Sequence, residues 1–203
     1  MTIIITLKNK NEIYLAADKQ VTGGNLKKTL PQPKYFKKPF TITPNILEDT
    51  TDKDHTEYLI IAYAGDIGII NHLQYGFKLP DKIETDTFET YLHLDLLPAL
   101  QEHYTALNLR PPSEEYELDF NLLLIYKGHV YEIFSDYTAI EYDSDYHCIG
   151  CANEIAQGSL YSTIGEDPEY RINIAMQACA HESNAVSTNY DTTIITNKTY
   201  KEE

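Results

Sequence analysis

The 203-residue chain is poor in cysteine, with three, and poor in cations, with 16 lysines and arginines against 31 aspartates and glutamates. No apolar run reaches about eighteen residues, so no membrane-spanning helix is expected. The start lacks the basic and apolar regions of a secretory signal, and so few cysteines fit a reducing compartment, which together point to the cytoplasm. The formal charge of −15 repels phosphate backbones and anionic membranes, so neither nucleic acid nor a membrane is expected as a partner. The basic cluster from Lys27 to Lys38 has few stackable aromatics and does not change that reading. Absent too are G-x-G-x-x-G, Walker and H-E-x-x-H motifs, which removes the sequence basis for nucleotide binding and zinc-protease chemistry. Cys148 and Cys151 form a C-x-x-C, but no second ligand pair stands at metal spacing. They read as small thiols at a strand-to-helix turn, with no metal or cofactor expected.

What is present begins at the second residue. Thr2 to Leu7 is β-branched and apolar, Lys8 to Asn11 is a polar turn region, and Glu12 to Ala17 is apolar again, which predicts a β-hairpin. A turn with its tip at Lys10 sets Thr2 opposite Asp18. After Gly23 and Gly24 a loop rich in lysine and proline leads past Lys34 into a third strand from about Tyr35 to Thr43. If Met1 is trimmed, Thr2 carries a hydroxyl nucleophile and, on the same residue, an α-amine of near-neutral pKa that can take its proton. A fixed ammonium from Lys34 would lower the amine's pKa and stabilise negative charge at the hydroxyl, with Asp18 holding that ammonium in place.

The run from Thr2 to Asn25, with its Leu-Ala-Ala-Asp-Lys-Gln-Val-Thr core, resembles the start of a proteasome β-type subunit, especially the bacterial HslV-type and phage-borne relatives. The intervals between Thr2, Asp18 and Lys34 match that family's catalytic threonine, aspartate and lysine. Downstream, His147 to Tyr161 resembles the family's strand, Ile-Gly-Ser-Gly turn and following helix, with Cys151 where the family usually has a serine near the catalytic amine. The resemblance implies a four-layer αββα sandwich of two antiparallel sheets, class α+β. It implies an oxyanion donor from the backbone near Ala62, and substrate contacts at Val21, Gln32 and Phe36 that suggest an apolar preference. In the loop from His181 to Asn189, Ser183 or its neighbour and Ser187 stand where the family orients the amine. The implied activity is that of a threonine endopeptidase acting on peptides or unfolded proteins, in a homo-oligomeric ring of one or two hexamers, with an ATP-dependent unfoldase as a compatible partner. Two other readings stay open: a catalytically inactive assembly or binding protein of the same fold, and an amidase acting on a small amide.

Length and 42% apolar content favour one domain over residues 1–203. The acidic stretch from Pro44 to Thr56 reads as an exposed hairpin loop. Tyr58 to Gly65 reads as a buried strand, and Ile67 to Phe77 and Thr87 to Leu107 as helices, the latter kinked by Pro98. Pro111 and Pro112 end the helical half and an acidic 113–119 segment follows. Strands Phe120 to Tyr126 and His129 to Phe134 then join at Lys127-Gly128, with short strands at 139–141 and 146–149. Helices at 153–162 and 169–182 and a closing strand at 191–196 complete the order, which favours stacked antiparallel sheets over alternating parallel units.

Overall fold

The computed structural model of the chain describes residues 2–23, 26–44, 54–107 and 120–200. Most of the expected 44–56 loop, and the segment from Pro111 through residue 119, lie outside the described residues.

Strands β1 (Ile3–Asn9) and β2 (Glu12–Asp18) form the expected hairpin. Its register differs by one residue from the expectation. The turn occupies both Lys10 and Asn11, with Lys10 at φ 56°, so Asn9 pairs with Glu12 and Ile4 with Ala17. Continuing that register sets Ile3, not Thr2, opposite Asp18. The lysine-rich stretch expected as a loop instead folds into a two-stranded ribbon of β3 (Gln20–Gly23) and β4 (Leu26–Thr29).

After β5 (Tyr35–Thr43) and β6 (His55–Gly65) comes the short helix α1 (Ile67–Asn71), capped by the Asp66 carboxylate on the Gly68 amide at 2.6 Å and continued by a π-helical turn over His72–Gly76. A two-residue strand β7 (Lys82–Ile83) precedes α2 (Phe88–Tyr91), a second π segment over Leu92–Leu96, and α3 (Leu97–Ala106). Pro98 lies in the first turn of α3. Its ring has no N–H and would crowd the carbonyl four residues back, and the helix accommodates it with the wider π turn immediately before it. The chain then runs through β8 (Phe120–Tyr126), β9 (His129–Ile133), β10 (Ala139–Glu141), β11 (Tyr146–Gly150), α4 (Asn153–Ser162), α5 (Pro168–Glu182) and β12 (Tyr190–Ile195), and the described residues end on a 3₁₀ turn at Asn197–Tyr200.

One sheet has the order β11-β1-β2-β12, antiparallel throughout, and the other β10-β9-β8-β6-β5-β7, antiparallel except where β7 joins β5 in parallel. Alternation along the strands sorts the core. Ile3, Ile5, Leu7, Ala16 and Cys148 point outward onto α4 and α5, where Leu160, Ile172, Met176 and Cys179 cover them. Ile4, Leu15 and Ile149 belong to the core shared with the second sheet. On that sheet's far face, Leu59, Ile61, Leu122 and Leu124 meet Leu73, Leu96, Leu97 and Leu100 of the other helical layer. The result is a four-layer αββα sandwich. The inner strand β1 is buried on both faces, which explains its unbroken Ile3-Ile4-Ile5, each 0% exposed.

Candidate active site

Asp18, at the end of β2, is wholly buried, and its carboxylate works as a junction. Oδ1 accepts the Ile3 amide at 3.0 Å and the Lys34 ammonium at 2.7 Å, while Oδ2 accepts the Gln20 amide at 3.0 Å. Lys34 enters from the bend before β5, where its carbonyl accepts the Tyr63 amide of β6 at 3.1 Å. The lysine is 2% exposed, and its ammonium also reaches Thr2 Oγ1 at 2.8 Å and the Gln20 carbonyl at 2.6 Å. Its three hydrogens therefore match three acceptors. Burial pushes the Lys34 ammonium below its ordinary pKa, while the charge and hydrogen bond of Asp18, and then Cys151, oppose that shift.

Thr2 itself is 4% exposed. Its carbonyl is held from the β11 side by the Cys151 amide at 2.9 Å, with Cys151 Sγ at 3.5 Å from the same oxygen. The preceding residue has to be glycine. A Cβ on Gly150 would lie 2.1 Å from Thr2 O, and Gly150 sits at φ 103°, where side chains are rarely tolerated.

Above this floor opens a cleft of about 260 Å³. Val21, Thr22 and Leu30 of the β3–β4 ribbon and its exit form one wall, and Tyr63, Gly65, Asp66 and Ile67 at the junction of β6 and α1 form the other, with Thr2 and Lys34 between them. Its volume falls below the range usual for pockets that enclose a drug-sized ligand.

Thr2, Asp18 and Lys34 thus meet, Cys151 adjoins them, and Val21 lines the cleft. The remaining expected contacts are elsewhere. Gln32 is exposed on the bend between Pro31 and Pro33. Phe36 is half-buried and packs toward the Tyr63 ring, 6.3 Å between centroids. Ala62 is fully buried within β6, paired with Tyr35 and Leu123, and the cleft wall is built from the residues that follow it. Ser183 and Ser187 use their hydroxyls locally, accepting the Ala185 amide at 3.2 Å and the Asn189 amide at 2.9 Å. Sequence reasoning missed Gln20, which ties the site to that loop through Nε2 and the Asn184 carbonyl at 2.8 Å. It also missed Leu30, Tyr63 and Ile67, whose only sequence signal was their nearness to a turn or a strand end.

All three cysteines are free: Cys148 and Cys179 are buried, and Cys151 is exposed. Burial raises the Cys148 thiol well above its usual range and Cys179 to about 11, so both pack as neutral groups. Among the described residues, no group of three or more His, Cys, Asp or Glu side chains could hold a metal ion, and no helix is long and apolar enough to cross a membrane.

No family model and no curated protein matches the sequence. Solved structures do match the fold. The chain is similar to HslV from Trypanosoma brucei, at 17% identity over 96% of this chain and 99% of that one, with a TM-score of 0.60. It is similar to BPH from Thiobacillus denitrificans, solved in complex with epoxomicin, at 14% identity over 96% and 98% of the two chains and a TM-score of 0.66. It is also similar to the helical assembly of Anbu from Pseudomonas aeruginosa, at 15% identity over 97% and 82%, with a TM-score of 0.65. These likenesses establish the fold, the αββα sandwich shared with HslV, BPH and Anbu.

Proposed function

We propose that the chain is an N-terminal-nucleophile threonine peptidase that hydrolyses peptide bonds through Thr2 once Met1 is removed. One observation carries the reading. At the floor of a cleft, a buried lysine joins the Thr2 hydroxyl, at 2.8 Å, to a buried aspartate, at 2.7 Å. Removal of Met1 converts the Thr2 nitrogen from an amide without a basic lone pair into an amine that titrates near 7.7–8.0 in ordinary peptides. Through a water, that amine takes the hydroxyl proton as Oγ1 attacks the scissile carbonyl carbon. Lys34 stabilises the negative charge developing on Oγ1, and Asp18 keeps the ammonium aimed there. The backbone N–H of Gly65, at the end of β6 where it lines the cleft, serves the carbonyl oxygen as it becomes an oxyanion. The amine's proton passes to the departing nitrogen, leaving an ester on Oγ1. Water then attacks this ester with the same amine as base, regenerating the hydroxyl. Cys151 fixes the Thr2 carbonyl, and Val21 and the apolar groups around it receive a substrate side chain.

The proposed substrate is peptide or unfolded protein, one or two of whose side chains a cleft of about 260 Å³ can receive. By analogy with HslV and with the Anbu assembly, the working form is a homo-oligomer, a ring of one or two hexamers. Such a ring encloses the sites and suits feeding by an ATP-dependent unfoldase. The cytoplasm is the proposed compartment, in keeping with free thiols. The test is intact-mass analysis of protein from its natural cell, followed by peptide turnover by wild type and Thr2→Ala. The expected result is loss of Met1 and turnover that vanishes in the variant; retained methionine or equal turnover would defeat the proposal.

A further inference from the structure

Glu132 of β9 is buried, 5% exposed, and three side chains converge on its carboxylate. Oε1 accepts the Asn121 side-chain amide of β8 at 2.9 Å, while Oε2 accepts the Tyr142 hydroxyl at 3.0 Å and lies 2.7 Å from His147 Nε2 of β11. A carboxylate only accepts, so the proton of this last bond sits on Nε2. The buried His147 ring stacks on that of Tyr142, with 3.5 Å between centroids and 17° between planes. Tyr142 is held on two sides as well: its amide donates to the Val130 carbonyl of β9 at 3.0 Å, and its carbonyl accepts the Lys8 ammonium of β1 at 3.0 Å. The Thr2 chemistry described above makes no use of this cluster.

Its place in the fold connects it to the cleft. Cross-strand partners share a face, so the pairings of Leu123 with Ala62 and Glu132, and of Asn121 with Ala64, put Asn121 and Glu132 on the inner face of the larger sheet. His147 alternates with Cys148, which points outward onto α4 and α5, so the imidazole faces inward from the other sheet. The cluster therefore crosses from one sheet to the other. At one end Asn121 pairs with Ala64, the neighbour of Gly65 in the cleft wall. At the other, His147 pairs with Thr6 on the strand that runs into Gly150 and Cys151, where the Cys151 amide holds the Thr2 carbonyl. The apolar contacts of Ile4, Leu15 and Ile149 hold the sheets together without direction. Hydrogen bonds do have direction. Lys34 supplies such a tie at the cleft floor, and the Glu132 cluster supplies another, so the sheets are fixed against rotation as well as separation.

We propose that Glu132 and His147 are positioning residues: with Asn121 and Tyr142 they clamp the sheet that carries Thr2 against the sheet that carries Gly65, and so set the separation between Thr2 Oγ1 and the Gly65 amide. The proposal rests on the peptidase reading, in which Oγ1 attacks the carbonyl carbon and the Gly65 amide receives its oxygen. Displacing a reacting group by about 1 Å costs on the order of 10²-fold in rate. Neither Glu132 nor His147 lines the cleft, so substrate binding is spared and the loss falls on kcat rather than KM.

The test is a double variant of the full chain, Glu132→Leu with His147→Leu. Replacing both members of a buried polar pair by apolar side chains is often neutral for stability, and the Asn121 and Tyr142 groups left behind are part-buried and can turn to water. The variant should melt within about 5 °C of wild type, with peptide kcat lower by about tenfold to hundredfold and KM within about threefold. Glu132→Gln is the conservative variant. Its oxygen still accepts from Tyr142 and His147, and Asn121 can turn its amide over to accept from the new NH₂ group, so kcat should stay within about threefold. Wild-type kcat in the double variant, or an equal loss in Glu132→Gln, overturns the proposal. If the double variant melts lower than expected, Asn121→Ala takes its place: kcat should fall by about threefold or more at unchanged KM, and an unchanged kcat there overturns the proposal. Amide hydrogen exchange supplies a readout without turnover. The Cys151 amide should exchange about tenfold faster or more in the clamp variant, as its strand loses the tie to the second sheet. A wild type without Thr2-dependent turnover defeats the peptidase reading, whereas unchanged exchange at Cys151 defeats the clamp.

Discussion

Replacing Asp18 with asparagine tests the site with a change of one atom. The carboxylate accepts from Ile3 N, Gln20 N and Lys34 Nζ. An amide keeps one acceptor oxygen and turns the other position into a donor. Whichever way it flips, either the Gln20 amide or the pair formed by Ile3 N and Lys34 Nζ faces an NH₂ group. A buried donor left unpaired costs about 1–3 kcal/mol, and removing the partner of a buried ion costs about 3–5 kcal/mol. These overlap, because Lys34 can shed its proton, so the expected loss is about 3–5 kcal/mol in urea unfolding. At roughly 2–4 °C per kcal/mol for a chain of this size, the melting point falls on the order of 10 °C. Turnover suffers separately. Asp18 opposes the effect of burial on Lys34, so in the variant the lysine is neutral over more of the pH range and no longer supports charge on Oγ1. The expected drop in peptide kcat/KM is about 10²–10³-fold. A folded Asp18→Asn within 1 kcal/mol of wild type, or with turnover within threefold, would refute the assignment of Asp18 as the junction of the site.

Three further outcomes follow from the same geometry. Gly150→Ala drives a Cβ to within 2.1 Å of Thr2 O, so it should fold less stably by about 2 kcal/mol or more and lose most turnover, whereas Gly158→Ala, with nothing within 4 Å, should not; wild-type kcat/KM in the first variant would refute the packing argument. Cys151→Ser keeps a small polar atom beside the Thr2 carbonyl and should retain turnover within about threefold, while removing any inactivation by iodoacetamide, because the other two thiols are buried. Glu57 is pushed up by burial, but hydrogen bonds from Lys127 at 2.8 Å and from Tyr126 outweigh this and hold its pKa below the ordinary 4.5. Since the folded value is the lower one, its stabilisation is present above about 4.5 and is lost as pH falls through the folded value. Urea unfolding between pH 6 and 3 should therefore show a shallower acid loss in Lys127→Met than in wild type.

Much of the fold could be read from the sequence, because its signals are local. Ile3 to Ile5 and Leu122 to Ile125 are apolar runs that only buried strands explain, and the Lys127-Gly128 turn, with φ of 47° and 89°, joins β8 to β9 where expected. The register of the first hairpin was less legible, since one residue in the turn decides it and Lys10 gives no sign of its positive φ. The trio survives that slip because Thr2 reaches Asp18 through the long side chain of Lys34, not across the strands. The β3–β4 ribbon was hidden by glycines and lysines that read equally well as a loop. Cleft residues were the hardest to read. Gln32 and Phe36 were placed by family resemblance alone, and the bend at Pro31 to Pro33 turns Gln32 outward, while Leu30, Tyr63 and Ile67 come together only through contacts between distant segments.

The threonine at the cleft floor is gripped on both flanks, its carbonyl by the Cys151 amide and the next amide by Asp18. Little torsional freedom remains to be frozen when a peptide arrives, apart from the side chain's own rotation. Folding has already supplied that ordering, so the temperature dependence of turnover should be dominated by bond making rather than by assembly of the site.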